Sequence, residues 1–279
     1  MGANMVERLV EKGHTVSSYD QSGSGTEKSL AAVAVSLVAP RVIWIMVPHT
    51  ATQEVIDKLT PIMQAGDIIV DGGNSPYQES MQRAKTLWEK GIVFLDAGVS
   101  GGPAGARHGA CIMVGGDEHT YQTLEPLWND LSVMHEYMGP SGAGHFTKMV
   151  HNGIEYGMMQ SLAEGFDLMR HAKEFTLDLT KVATVYSEGS VITSRLVSWL
   201  LHAYQAHGND LTEITGSASS TGEGAWTKLA AEREGIAVPA LDAALATRTA
   251  SQATPSYQGK LISALRNEFG GHAAEANAQ

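Results

Sequence analysis

Gly139-Pro140-Ser141-Gly142-Ala143-Gly144 is the densest cluster of helix and strand breakers in the chain, and the sequence obeys different rules on its two sides. Upstream, short apolar runs alternate with stretches of helical spacing. Strands are predicted at His14–Tyr19, Val42–Val47, Asp67–Asp71 and Ile92–Asp96, then at Ala110–Val114 and Ser132–Tyr137. Helices are predicted near Gly2–Lys12, where Ala3, Val6, Leu9 and Val10 share a face before Gly13, and near Thr26–Val38, Ala51–Met63, Pro76–Lys90 and Glu118–Trp128. This alternation predicts βαβ units and a mainly parallel sheet. Downstream no strand pattern is visible. Helices are expected near His145–Phe175, Asp178–Glu188, Ser194–Ala206, Gly224–Glu234, Pro239–Thr249 and Tyr257–Phe269. Residues 1–141 therefore read as an α/β domain and residues 142–279 as an all-helical one. The tail His272–Gln279 has little to pack and is expected to be disordered.

Composition narrows the function. Lys+Arg total 19 against 30 Asp+Glu, a net charge of −11, which argues against a nucleic-acid partner. An anionic ligand would need a local positive pocket set against that field. The single cysteine, Cys111, excludes an internal disulfide, fits a reducing, cytoplasmic compartment, and reads as a buried thiol within Ala110-Cys-Ile-Met-Val114. No charged-then-apolar leader opens the chain, and Val6 breaks a myristoylation pattern. The apolar window Ser29–Pro48 is interrupted by Pro40-Arg41 and reads as helix then strand rather than a membrane span. His108, His119, His135, His202 and His207 lack metal-ligand spacing, and His145 and His151 do not share a helical face, so no metal is expected. Methionines such as Met158 and Met159 read as core fillers.

A sheet of this kind binds nucleotides at its carboxyl edge. The dinucleotide fingerprint is a glycine-rich turn after the first strand with an acid about 20 residues further on. Gly2 stands where the last glycine of that turn would be, and Asp20 comes 18 residues later. The fold class is thus α/β, Rossmann-like and doubly wound, with its first strand missing, joined to an all-α C-terminal domain. Asp20 would accept from a ribose 2′-hydroxyl and repel a 2′-phosphate, favouring NAD over NADP. Two strand-end loops, Asp71-Gly-Gly-Asn-Ser75 and Gly98-Val-Ser-Gly-Gly-Pro103, let backbone N–H groups approach a ligand and add directed hydrogen bonds.

The run Lys148-Met-Val-His-Asn-Gly-Ile-Glu-Tyr156, read as helix, places Lys148, His151, Asn152, Glu155 and Tyr156 on one face and Val150, Gly153, Ile154 and Gly157 on the other. A solvent stripe would be built from several Glu and Lys. One base, one acid, one imidazole, one amide and one phenol suit a site that moves protons and holds a polar ligand.

These loops and this helix, with Arg266-Asn-Glu-Phe-Gly-Gly-His272, resemble the decarboxylating 6-phosphogluconate dehydrogenases in order along nearly the whole chain, at a length similar to the short bacterial form. The resemblance implies oxidation of C3 of 6-phosphogluconate by NAD or NADP, then loss of C1 as CO2 to give ribulose 5-phosphate in the pentose phosphate route, with no metal. It implies that Lys148 is the base, which requires desolvation or nearby positive charge, and that Glu155, two helical turns or roughly 10 Å along, is the acid that protonates the enediol carbon. It further implies that Asn74, Ser100, Gly101, Gly102, His151 and Asn152 hold the sugar acid, and that Tyr156 and Arg248 approach the phosphate. Gly2, Asp20, Val47 and Asn74 are likewise expected to face the cofactor. Arg266 and His272 match residues that reach into a neighbouring subunit's site, implying a homodimer or a dimer of dimers.

The sequence departs from that pattern in two places. Ala225 stands before Trp226-Thr227 where a basic residue is usual, which removes one phosphate-side contact. The missing first strand would leave backbone groups unpaired, so Met1 is expected to be internal, with the natural chain beginning about ten residues earlier. Two other readings remain open: a related β-hydroxyacid dehydrogenase, and a non-catalytic binding protein that has lost its cofactor.

Overall fold

The computed structural model describes residues 1–272 and 274, so the expectation for the tail beyond Ala274, like that for Ala273, lies outside the described residues. The chain divides into two compact units, Met1–Met149 and Val150–Gln279.

In the first unit the order is α1 (Gly2–Glu11), α2 (Leu30–Ser36), β1 (Val42–Ile45), α3 (His49–Leu59), β2 (Ile68–Asp71), α4 (Tyr77–Trp88), β3 (Val93–Ser100), α5 (Gly102–His108), β4 (Ala110–Gly115), α6 (Glu118–Thr123), α7 (Glu125–Leu131) and β5 (Ser132–Gly139). The five strands lie in sequence order, β1-β2-β3-β4-β5, parallel except for the antiparallel pair β3–β4. Strands buried on both faces read as continuous apolar runs. One face packs Val70, Leu95, Ala97, Val99, Ile112 and Val114 against Met5, Ala106 and Trp128. The other packs Ile43, Ile45, Ile69 and Phe94 against Ala34, Ile56, Leu59 and Leu87. The sheet is doubly wound, and its β2–β3 register sets Asp71 beside Asp96.

Those two aspartates, both fully buried, Asp71 at the end of β2 and Asp96 within β3, each tie down another segment of the chain. The Asp71 carboxylate accepts from the Gly73 N–H at 3.1 Å, the Ser75 hydroxyl at 2.8 Å and Arg83 Nη1 at 3.3 Å. Arg83, itself buried on α4, also donates to Glu79 at 2.6 Å and to Gln53 at 3.1 Å. The loop bearing Asn74 is thereby tied to two helices. Asp96 accepts from the Gly142 N–H at 2.6 Å and the His145 N–H at 2.8 Å, the first amides of α8 (Ala143–Arg170), where the helix end is positive. Close approach makes this possible. A Cβ on Gly144 would stand 2.5 Å from the Met113 carbonyl and 2.6 Å from that of Asp96, and one on Gly98 would stand 2.3 Å from Lys148 Cβ.

The second unit continues α8 and adds α9 (Leu179–Ser187), α10 (Arg195–His207), α11 (Glu223–Glu234), α12 (Pro239–Ala253) and α13 (Tyr257–Gly270). Phe166, Leu200, Tyr204, Leu261 and Leu265 centre its core. Ala274 is buried in that core and its carbonyl accepts from Thr215 N–H at 2.7 Å, so the described part of the tail is packed rather than disordered.

Several expectations are corrected. His14–Tyr19 forms no strand, because no neighbouring strand offers it a ladder; Ser18 instead exchanges hydrogen bonds with Thr26. The second helix begins only at Leu30, capped by the Ser29 hydroxyl. Helix α5 was unforeseen, since its Pro103 and Gly105 read as loop. The single helix expected at Glu118–Trp128 is two, broken at Leu124 where Pro126 opens the second. Cys111 is exposed, not buried. It pairs with Met134, which is itself exposed, on a part of the sheet face that no described residue covers.

The aspartate clamps can be tested by unfolding. Gly144→Ala forces a methyl into backbone atoms that have no room to retreat and should cost about 2–4 kcal/mol in urea unfolding. Arg83→Met leaves a buried Asp71 carboxylate unopposed and should cost roughly 3–5 kcal/mol by the same measurement. An Asp71→Asn, Arg83→Met double variant should lose less than the sum of the two single losses.

Candidate functional site

In the first unit the end of β2 presents the loop that bears Asn74, whereas Gly98–Ser100, expected as loop, are the last residues of β3 and Gly101 caps α5. Asn74 lies exposed at the tip of the loop that Asp71 ties down, and Ser75 is buried beneath it. Ser100 ends β3, and Gly101 and Gly102 come next with φ of +117° and +60°, a backbone that β-carbons disfavour. Lys148 is seated against Gly98 of the same strand and is only 9% exposed. Lys148 thus lies, mostly buried, against the strand that ends in Ser100.

On the second-unit part of α8 burial does not divide along the two faces read from the sequence. Asn152 and Tyr156, like Lys148, are buried, whereas Ile154 is exposed, and so is Met158, which is no core filler; Met159 is in the core. Gly153 does face packing, its absent Cβ leaving room for Thr227 of α11. His151 Nδ1 lies 3.0 Å from Asn152 Oδ1 and 3.9 Å from Glu155 Oε2. Glu155 keeps partial access to solvent.

Around Tyr156 the second unit builds a cationic cluster. Arg248, far from being a surface arginine of α12, is 3% exposed and lies 3.5 Å over the Tyr156 ring. Gly224 lets the ring pack on the backbone of α11: a Cβ there would meet the ring at 2.6 Å. Arg266 on α13 donates to Ser219 Oγ at 2.7 Å, and Arg248 donates to the Ser219 carbonyl at 3.3 Å. Arg248 Nε is buried with no hydrogen-bond partner among the described residues. Burial pushes the Arg248 guanidinium down to about 10 and lowers Arg266 as well. His272, half-buried beside Arg266, is likewise lowered by burial first and by Arg266 second. Arg266 and His272, which the resemblance places in a neighbouring subunit's site, lie in this chain within the unit that holds Tyr156 and Arg248. Two buried guanidiniums, one of them under-satisfied, attract an anion against the overall charge of −11.

The predicted cofactor residues fit a dinucleotide in part. Gly2 opens α1, whose first turn has no side-chain cap, and a Cβ at Gly2 would lie 3.3 Å from Met46 Cβ, just past the end of β1. Those amides can hold an anion such as pyrophosphate. Val47 comes directly after Met46, and its carbonyl would lie 2.9 Å from a Cβ on Gly73. Asp20 is exposed and its carboxylate is held below the ordinary range by the Ser22 hydroxyl and N–H, which leaves an ionised acceptor suited to ribose hydroxyls. No group of three or more metal-ligating side chains is assembled among the described residues. No helix among them is long and apolar enough to cross a membrane.

Three contributors escaped the sequence reading. Arg83 acts from beneath the Asn74 loop, Asp96 ties down the start of α8, and Glu223 is buried at the start of α11, where it accepts from Thr221. Asp71 and Asp96 did carry a signal, since each is an acid closing an apolar strand. Glu223 between two glycines carried none beyond its place near Trp226-Thr227.

Comparison with known proteins finds relatives for both regions of the chain. Residues 1–139 match the family described as the NAD binding domain of 6-phosphogluconate dehydrogenase, and residues 144–261 match the 6-phosphogluconate dehydrogenase C-terminal domain. A Bacillus subtilis protein named "Putative 6-phosphogluconate dehydrogenase YqeC" is 42% identical over 99% of this chain and 96% of its own length. The NAD(+)-dependent, decarboxylating 6-phosphogluconate dehydrogenase of Haloferax volcanii is 36% identical over 98% of this chain and 94% of its own. Among solved structures, Plasmodium falciparum 6-phosphogluconate dehydrogenase, described with its cofactor NADP+ and its substrate 6-phosphogluconate, superposes with a TM-score of 0.79 at 30% identity, covering 90% of this chain and 60% of that one. With two domain matches in order and relatives of this identity along almost the whole length, the chain belongs to the 6-phosphogluconate dehydrogenase family.

Proposed function

We propose that this protein catalyses the oxidative decarboxylation of 6-phospho-D-gluconate to D-ribulose 5-phosphate and CO2 with reduction of NAD or NADP, as a step of the pentose phosphate route in the cytoplasm. The observation that supports it most directly is the buried Lys148, seated on Gly98 beside Ser100, Gly101 and Gly102, on a helix that also bears Glu155.

The nicotinamide, when bound, supplies the acceptor for the hydride leaving C3. The chain's own residues manage the protons. Lys148 Nζ takes the proton of the 3-hydroxyl as C3 is oxidised. The ammonium so formed then polarises the 3-keto oxygen, which serves as the electron sink while the C1–C2 bond breaks, so no metal is required. Glu155 delivers a proton to the enediol carbon. Asn74, Ser100, Gly101, Gly102, His151 and Asn152 orient the sugar acid. Arg248, with the Tyr156 ring beneath it, Arg266 and His272 seat the phosphate. Ala225 brings no charge to that seat. Gly2, Val47, Asn74 and Asp20 hold the dinucleotide, and the Asp20 carboxylate favours NAD. The exposed apolar residues Ile154, Met158 and Leu168 along α8 support association with a second copy.

Three measurements test this reading. Lys148→Met should abolish reduction of NAD by 6-phosphogluconate while circular dichroism stays unchanged; near-normal turnover would remove Lys148 as the base. Glu155→Gln should lower kcat about 10²- to 10⁴-fold and slow exchange of solvent deuterium into the product more than hydride transfer. Asp20→Ala should narrow the preference for NAD by raising KM for NAD more than for NADP; a chain that prefers NADP before substitution contradicts the role given to Asp20.

A further inference from the structure

Helix α4 meets the start of α8 at a buried polar contact that the proton transfers assigned to Lys148 and Glu155 do not use. Ser80 is fully buried, His145 is 2% exposed, and Ser80 Oγ lies 2.7 Å from His145 Nδ1. In either tautomer of the ring this is a hydrogen bond, because a hydroxyl both donates and accepts. His145 Nε2 is buried with no hydrogen-bond partner among the described residues, so among them Ser80 alone fixes the ring by hydrogen bonding. The Pro76 carbonyl, 3.5 Å from Ser80 Oγ, is too distant to compete for the hydroxyl. Packing around the pair is close. Tyr77 and Phe146 meet edge to face with ring centroids 5.1 Å apart, and a Cβ on Gly142 would stand 2.7 Å from Met81 Cγ. A buried imidazole with one nitrogen unmet is a costly way to fill space that an apolar side chain could fill.

The contact joins two parts of the proposed site. On one side, Arg83 sits one turn beyond Ser80 on α4 and donates to Asp71, which accepts from Gly73 and Ser75 on either side of Asn74. On the other, His145 donates its backbone N–H to Asp96 of β3 at 2.8 Å, and Lys148, one turn further along α8, lies against Gly98 of that strand. Asp96 holds the end of α8 through backbone amides, which lie near the helix axis and by themselves constrain rotation about it little. A second anchor, off the axis and directed at another helix, removes that freedom. We propose that the Ser80–His145 hydrogen bond is a positioning link: it fixes the rotation of the first turns of α8 against α4, so that Lys148 keeps a constant placement relative to the Asn74 loop. This inference rests on the reading of Lys148 as the base and Asn74 as a substrate ligand. A misplacement of about 1 Å can cost about a hundredfold in rate, so such a link acts on kcat and leaves cofactor binding alone.

Steady-state kinetics of the full-length chain with NAD and 6-phosphogluconate, unlabelled or deuterated at C3, tests the link. Ser80→Ala adds no bulk and should lower kcat about 10- to 100-fold, with KM for NAD and circular dichroism unchanged. Its primary isotope effect on kcat should rise, because the hydride step then limits turnover; a loss of stability alone would not move that ratio. His145→Gln carries its amide where Nε2 stands, cannot reach Ser80, and should behave as Ser80→Ala does. His145→Asn carries its amide where Nδ1 stands and should recover most of the lost rate. The Ser80→Ala, His145→Gln double variant should be no slower than the slower single variant. The inference falls if Ser80→Ala keeps the kcat and isotope effect of the wild type. It falls too if His145→Gln turns over normally while His145→Asn does not, since Nε2 and not the link then carries the effect, or if the two single losses multiply in the double variant. A wild type that does not oxidise 6-phosphogluconate overturns the reading of the site and this inference with it, a result told apart from the others because it needs no variant.

Discussion

The contact between the Asp96 carboxylate and the first amides of α8 is the constraint on which the placement of the start of that helix depends. Asp96 lies within a buried strand, so its carboxylate has few options but to accept hydrogen bonds, and the N-terminus of a 28-residue helix supplies donors with a favourable dipole. That pairing brings the helix backbone onto β3 and β4, which is sterically possible only because Gly98, Gly115 and Gly144 present no side chains there. Lys148 is buried as a consequence of this approach, not through any apolar character of its own. The burial of this lysine follows from a backbone contact made one turn earlier.

A second pattern repeats across the molecule: buried charges work in compensated groups. Asp71 answers Arg83, which is shared with Glu79 and Gln53, and the loop bearing Asn74 inherits their rigidity. In the second unit Arg248 and Arg266 share Ser219, with Tyr156 as an aromatic floor under Arg248. The first group is closed and structural. The second is left under-satisfied at Arg248 Nε, and an incompletely paired buried cation is a place where a ligand gains what the protein lacks. A strongly acidic chain can thus hold a local site for an anion, because burial shields the site from the surface field more than it shields the pair from its ligand.

The sequence made much of this legible. Breakers at 139–144 separated alternating strands and helices from an all-helical remainder, and the glycine loops and the Lys148–Tyr156 run stood out by composition. Periodicity told which residues of α8 share a face, but not which face is buried; Lys148, Asn152 and Tyr156 turned inward and Ile154 outward. The expected strand at His14–Tyr19 had the right residues and no ladder to join. Cys111 sat in an apolar run, yet the pleat turned it toward the uncovered end of a sheet face, next to Met134. Helix α5 hid behind Pro103 and Gly105, residues that discourage a helix locally but tolerate one when Gly101 at its N-cap adopts a left-handed conformation.

What the sequence alone determined was local: element type wherever the apolar period was long, the position of the break between the two regions, and a set of side chains chemically fit for proton transfer and anion binding. Those properties come from residue type and spacing along the chain. What the tertiary structure decided was which polar groups lose their water and which charges meet. Desolvation and Coulomb interaction depend on atoms distant in sequence. Arg83 and Asp71 are 12 residues apart, Gly142 and Asp96 are 46 apart, and Arg266 and Ser219 are 47 apart. No local pattern records such pairings, and they alone turn the inventory of the sequence into a site.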